Sequence, residues 1–196
     1  MLLRKMLRDM KLFLPQFISV FLLSLLGVFV FAGIQAEWYG MQKESDRFYR
    51  QSHLADFWVM GSDISGETAD KARETAGVDA VQRRLVLDGV ADVEGSPVLR
   101  LNLVNENTLS RPLTTSGEEF DPGKDGIWLD EKFARAHNLE PGSSITIDFH
   151  GQKLEKKVKG LILHPEYVYN VKDDSQFMPD AKSFGFAYIP ASCVHI

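Results

Sequence analysis

Twenty-five consecutive residues, Leu12–Ala36, carry no charge, and sixteen of them are Leu, Ile, Val or Phe. At ~1.5 Å per helical residue the stretch reaches ~37 Å, longer than the ~30 Å hydrocarbon core of a bilayer, so it crosses with some tilt. At ~0.3–0.6 kcal/mol apiece, those sixteen side chains favour insertion by roughly 5–10 kcal/mol. The polar residues inside are placed tolerably. Gln16 and Gln35 lie near the ends, Ser19 and Ser24 can bond back to the helix, and Pro15 falls in the first turn, where its missing N–H costs least.

A secretion signal needs an apolar core of only about 7–15 residues. Val30-Phe31-Ala32 and Ile34-Gln35-Ala36 each put a small residue at a possible cut, but neither is an A-x-A. Trp38 and Tyr39 follow at once, as interfacial aromatics do at the rim of a membrane span. The reading is a retained helix with its ends at Leu12 and Ala36 and the lipid bilayer as its first partner. Arg4, Lys5, Arg8 and Lys11 against Asp9 put +3 before the span. That places the N-terminus in the cytoplasm and the body outside. Leu3, Met6, Leu7 and Met10 share one side of residues 1–11 at helical spacing. A short amphipathic helix in the inner headgroup layer and a flexible basic flank fit this leader equally.

After the span, eighteen basic residues face twenty-six acidic ones, a net −8 that with the leader gives the chain its −5. A surface this acidic does not neutralise phosphates, so nucleic acid is excluded as a partner. The one cysteine, Cys193, excludes an internal disulfide framework and a CxxC metal site.

Residues 37–52 extend the helix as a stalk, with Trp38, Met41 and Phe48 as a packing seam. Residues 53–196 then read as an α+β domain. Ala55–Met60 has the composition of a strand. Ser65 caps a helix over Glu67–Ala76 that Gly77 stops. Val78–Val93 is β-rich with a break at Asp88-Gly89, and Glu94-Gly95-Ser96 turns into a strand over Val98–Val104. Residues 105–126 read mostly as loop. Ile127–Leu129 is a short strand, Asp130 caps a helix to about Asn138, and Pro141-Gly142 makes a turn. Ile145, Ile147 and Phe149 alternate into a core, His150-Gly151 turns, and Leu154–Leu163 returns. Phe184–Ile189 is a further strand, and the stop at Ile196 is expected to leave a strand edge, or the apolar surface it covers, without its usual neighbour.

Chemical motifs are missing. No G-x-x-x-x-G-K-[ST] loop, G-x-S-x-G elbow or H-E-x-x-H pair occurs. His53, His137, His150, His164 and His195 show no metal-ligand spacing, and Asp173, Asp174 and Asp180 lack the spacing of a calcium loop. The expectation is a non-enzyme with no catalytic residue, cofactor or metal.

The pattern GIWLDxxFAxxxNLxPGSxITI (126–147) resembles the strand–helix–turn–strand unit in the outer domains of FtsX/MacB-like ABC transporter permeases. FYRQSHLADFWVMG (48–61) and GVDAVQRRLVL (77–87) are similar to earlier parts of those domains, so the resemblance runs through essentially the whole chain. It implies a MacB-like periplasmic core fold behind one N-terminal span. It also implies a separate cytoplasmic ABC ATPase subunit, and either the remaining permease spans or a second permease copy. Ser183–Ile196 is too short to span and holds Pro190, so the chain is expected to be the N-terminal part of such a permease, with an incomplete outer domain. The alternative is a single-span, membrane-anchored binding protein without an ATPase.

Overall fold

Pro15 decides how the N-terminal helices divide. Lacking an N–H, it cannot continue the ladder from the preceding turn. The computed structural model accordingly separates α1 (Leu2–Leu12) from α2 (Leu14–Gln51) at Phe13. The Phe13 carbonyl accepts from the Gln16 and Phe17 amides, and the Ser19 hydroxyl donates to the Pro15 carbonyl at 2.8 Å. The structure describes residues 2–194 other than Asp63 and Asp174, and gives only the backbone of Leu2, Leu3, Leu7 and Asp9. The leader's expected apolar side therefore falls partly outside the described side chains. Among the described residues α2 is the one helix long and apolar enough to cross a membrane, with a mean hydropathy of 2.6 over its most apolar window.

The chain falls into two compact units, Met1–Arg47 and Phe48–Ile196. The second begins before Ser52 because Phe48 and Tyr49 are half-buried and Ser52 is buried. It contains α3 (Gly66–Arg73), β1 (Arg84–Ala91), β2 (Val98–Val104), β3 (Leu113–Gly117), β4 (Ile127–Asp130), α4 (Glu131–Ala136), β5 (Ser144–Phe149), β6 (Gln152–Leu163) and β7 (Phe184–Pro190). The strand order is β3-β6-β4-β7-β2-β1-β5, and β5 also pairs with β6. That last pairing closes β6, β4, β7, β2, β1 and β5 into a ring, with β3 attached to β6. Closure works because β6 is long: residues 152–157 pair with β5, while 158–163 pair with β4 and β3.

Local chemistry explains most of these elements. The Ser65 hydroxyl accepts from the Thr68 amide at 3.2 Å, and Asp130 accepts from the Lys132 amide at 3.3 Å, as N-caps do. The β5–β6 hairpin turns on His150 and Gly151 at φ 51° and 87°, the paired positive values that a two-residue turn matching the strand twist requires. The core on the ring's inner side gathers Leu99, Leu101, Leu103, Ile127, Leu129, Ile145, Ile147, Ala187 and Ile189 with Phe133 of α4. Gly185 lies directly beneath the Phe133 ring, where any side chain would collide.

Five expectations are corrected. Ala55–Met60 is not a strand: the Ala55 amide bonds to the Ser110 hydroxyl, and among the described residues no strand pairs with the segment. Composition supplied the strand signal, but the segment is held by the Ser110 loop instead of by a strand. β1 runs unbroken through Asp88-Gly89, because Gly89 leaves room for Ile147, which a Cβ would approach to 2.6 Å. β3 lies within the expected loop; its Leu-Thr-Thr-Ser-Gly sequence is too polar to announce a strand. α3 and α4 end at Arg73 and Ala136, short of Ala76 and Asn138, and Asn138 takes φ 55°. β7 is not an edge: it lies between β4 and β2 and all seven of its residues are buried.

Candidate functional site: a buried polar joint

β2 and β7 alternate, so the residues between the inner-core positions face outward. These are Asn102, Val104, Phe186 and Tyr188, joined by Trp128, Ile162, Phe120 and Tyr167 in a second cluster. This face is apolar only in part. Asn102 donates to the Ala187 carbonyl at 3.3 Å and accepts from the Tyr167 hydroxyl at 3.2 Å. Tyr167 stacks on Phe186 with ring centroids 4.5 Å apart.

Across this cluster runs a chain of hydrogen bonds from β1 to the turn after β6. Arg84 donates through Nη2 to both Glu166 oxygens at 2.8 and 2.7 Å, and through Nη1 to the Tyr188 hydroxyl at 2.8 Å. That hydroxyl meets Nε2 of His164 at 2.5 Å. Nδ1 of His164 accepts from the Glu166 amide at 3.2 Å, which assigns the ring proton to Nε2. Local sequence builds the turn: His164 is its cap and Pro165 occupies its first position, where an N–H is not needed.

Burial governs the charges. His164 is 2% exposed, and burial lowers its pKa to about 3 against the raising pull of Glu166 and Ser110, with Arg84 adding to the fall. The imidazole is therefore neutral. Burial raises the Glu166 carboxyl, but the Arg84 guanidinium outweighs this, with Ser110 and Trp58 helping, and holds it below the usual range. Burial pushes the Tyr188 hydroxyl well up, so it stays protonated.

The segment that leaves α2 docks on this network. The Ser52 carbonyl accepts from the Arg111 amide at 2.6 Å, and the His53 carbonyl accepts from the Ser110 amide at 2.8 Å. His53 and Ser110 both take positive φ, 49° and 45°, to present these groups. Beyond the docked part, Phe57, Trp58, Val59 and Met60 are exposed. β7 ends at Pro190, in register with Val104 of β2 and Arg84 of β1. Lys156, 9% exposed, donates to Asp125 at 2.5 Å and to the Cys193 carbonyl at 2.9 Å. Its ammonium holds the Asp125 carboxyl below the ordinary range.

Of the residues named from sequence, His164 falls in this network and His53 in the segment docked on it, whereas those expected at the span ends, the interface and the stalk seam do not. Leu12 closes α1 and Ala36 lies within α2, both exposed. Trp38, Tyr39 and Met41 are exposed on α2, and Phe48 is half-buried with its ring 5.5 Å from that of Tyr49. His164 was visible only as one histidine among five. The signal that marks it is His-Pro-Glu-Tyr, a cap followed by proline, but nothing in sequence pairs that turn with Arg84 or Tyr188. Among the described residues no three His, Cys, Asp or Glu side chains come together to hold a metal; Asp174 and His195 lie outside those residues. An open groove of about 570 Å³ lies between β3 and α4, lined by Thr115, Ser116, Glu131, Arg135, Asn138 and Glu140 among others.

Two solved structures are similar to the chain. The extracellular domain of the noncanonic ABC-type transporter YknZ from Gram-positive bacteria is 17% identical, with a TM-score of 0.44 over 66% of this chain and 63% of that one. The periplasmic region of MacB from Actinobacillus actinomycetemcomitans is 15% identical, with a TM-score of 0.38 over 64% of this chain and 54% of that one. The chain thus spans less than two thirds of either solved chain. No protein-family model and no curated protein matches it.

Proposed function

We propose that this chain is the first membrane span and outer domain of an ABC transporter permease subunit, itself without catalytic activity. A cytoplasmic ATPase hydrolyses ATP, and the membrane helices carry the resulting motion outward. The observation that carries this reading is α2. It is one helix of 38 residues, ~57 Å long by its rise, so roughly half of it exceeds the hydrocarbon thickness. An anchor alone needs no such length, whereas a lever does. By the charge of the leader, the N-terminus is cytoplasmic and the domain extracytoplasmic.

The test uses the chain together with its ATPase and the remaining spans. Met41→Gly with Glu44→Gly, both at exposed positions, costs α2 ~1 kcal/mol per site in helix propensity without touching the domain. Membrane abundance is expected to stay near normal while ATP-driven transport falls. Unchanged transport would leave α2 as an anchor only. The single-span binding protein is the alternative, and the groove between β3 and α4 is the feature that would serve it. Failure of any ABC ATPase to copurify from native membranes would favour that alternative.

A further inference from the structure

We propose that the joint holding Ser52–Ala55 to the domain is a proton-linked latch, in which uptake of a proton by His164 releases the turn His164–Tyr167 together with the Ser110 loop and the docked segment. The argument is one of donors and acceptors, and it does not depend on the transport reading. In the closed joint Nδ1 of His164 is committed as an acceptor to the Glu166 amide, and Nε2 meets the Tyr188 hydroxyl. A second ring proton must go on Nδ1, where it faces an N–H, donor against donor. The new charge would also lie near the Arg84 guanidinium, since Arg84 donates to the same Tyr188 hydroxyl.

The groups around His164 do not rescue it. Glu166, from its own turn, is the nearest anion but is already engaged through both oxygens by Arg84 of β1. β7 presents only Tyr188 and Phe186, the turn adds Tyr167, and the loop after β2 presents the Ser110 backbone. The Ser110 backbone also favours the charge, and Ser110 is the residue that clasps the docked segment. Its amide holds the His53 carbonyl and its hydroxyl receives the Ala55 amide. Exposing His164 to water therefore means moving the clasp. The burial that lowers its pKa is consistent with this order of events.

The full chain in detergent micelles, followed by amide hydrogen exchange corrected for intrinsic rates, tests the latch. With a closed value of about 3 and an open value of 6.5, the opening constant rises about 30-fold from pH 8 to pH 5. That rise is expected at the amides of Ala55, Ser110 and Arg111. Those of Leu101 and Ala187 in the inner core should stay at least about tenfold better protected at both pH values, since sub-global opening is cheaper than unfolding. His164→Asn should abolish the pH dependence at the joint. Should that variant not fold, the wild-type comparison of joint and core decides alone. A joint that opens only together with the core, or whose opening ignores pH, overturns the proposal.

Discussion

The inner and outer faces of β2 and β7 are made by alternate residues of the same two strands, yet they differ in kind. Inward, Leu99, Leu101, Leu103, Ala187 and Ile189 meet Phe133 in a purely apolar core. Outward, Asn102, Phe186 and Tyr188 meet Tyr167, with Tyr188 tied to Arg84 and His164. The inner face rests on shape and transfer from water, which are insensitive to pH. The outer face rests on directed bonds between specific partners, each costly to leave unmade. A strand pair can thus hold the fold together on one side and fasten the segment that leaves α2 on the other.

The largest expected separation of the two faces is through acid. His164 binds a proton in the unfolded chain below 6.5 but in the folded domain only near 3. Its contribution is complete above pH 6.5 and is lost as pH falls towards 3, on the order of 3–5 kcal/mol in total. The lowered carboxyls of Glu166 and Asp125 act in the same direction at lower pH; the buried Asp130 carboxyl, raised by desolvation, acts in the opposite one. Urea unfolding of the full chain in micelles at pH 7.5 and 4 should show the loss, and a flat profile would mean that the imidazole is not buried as described.

Leu101→Ala breaks the inner face instead. Its side chain is fully buried, so the cost is about 3 kcal/mol of cavity and transfer, with the slope of stability against pH unchanged. A changed slope would show that the two faces are coupled through the strands. Glu166→Gln, on the outer face, is the smallest of the three. It leaves the Arg84 guanidinium, largely shielded from water, without its charge partner, at a cost of about 2 kcal/mol. A cost below about 0.5 kcal/mol would place Glu166 among ordinary surface pairs.

This division also explains what could be read from sequence. Apolar alternation is written locally, so β2, β5, β6 and the Asp130 cap were legible, as was the long apolar stretch of α2. Where composition and pairing part company the reading failed. Phe57-Trp58-Val59-Met60 looks like a strand but pairs with none among the described residues, while Thr114, Thr115 and Ser116 look like loop but find β6. The joint was illegible for a stronger reason. Arg84 and Tyr188 are 104 positions apart, and Arg84 and Glu166 82 apart. Each is unremarkable in its own neighbourhood, and only the closed ring brings them together.

The central place of β7 also bears on the order of assembly in time. A chain emerges from its N-terminal side during synthesis, and the hairpins β1–β2 and β5–β6 can form from near neighbours as soon as they appear. The ring cannot, because β7 is the wedge between β4 and β2, bonded to a strand some 85 positions earlier. Until residues 184–190 arrive, β2 and β4 each expose a pairing edge and the inner leucines stay wet, the condition in which chains aggregate or are seized by chaperones. Contacts this distant along the chain also close slowly. β7 is thus the strand that ends the vulnerable interval, and how quickly it arrives governs how long that interval lasts.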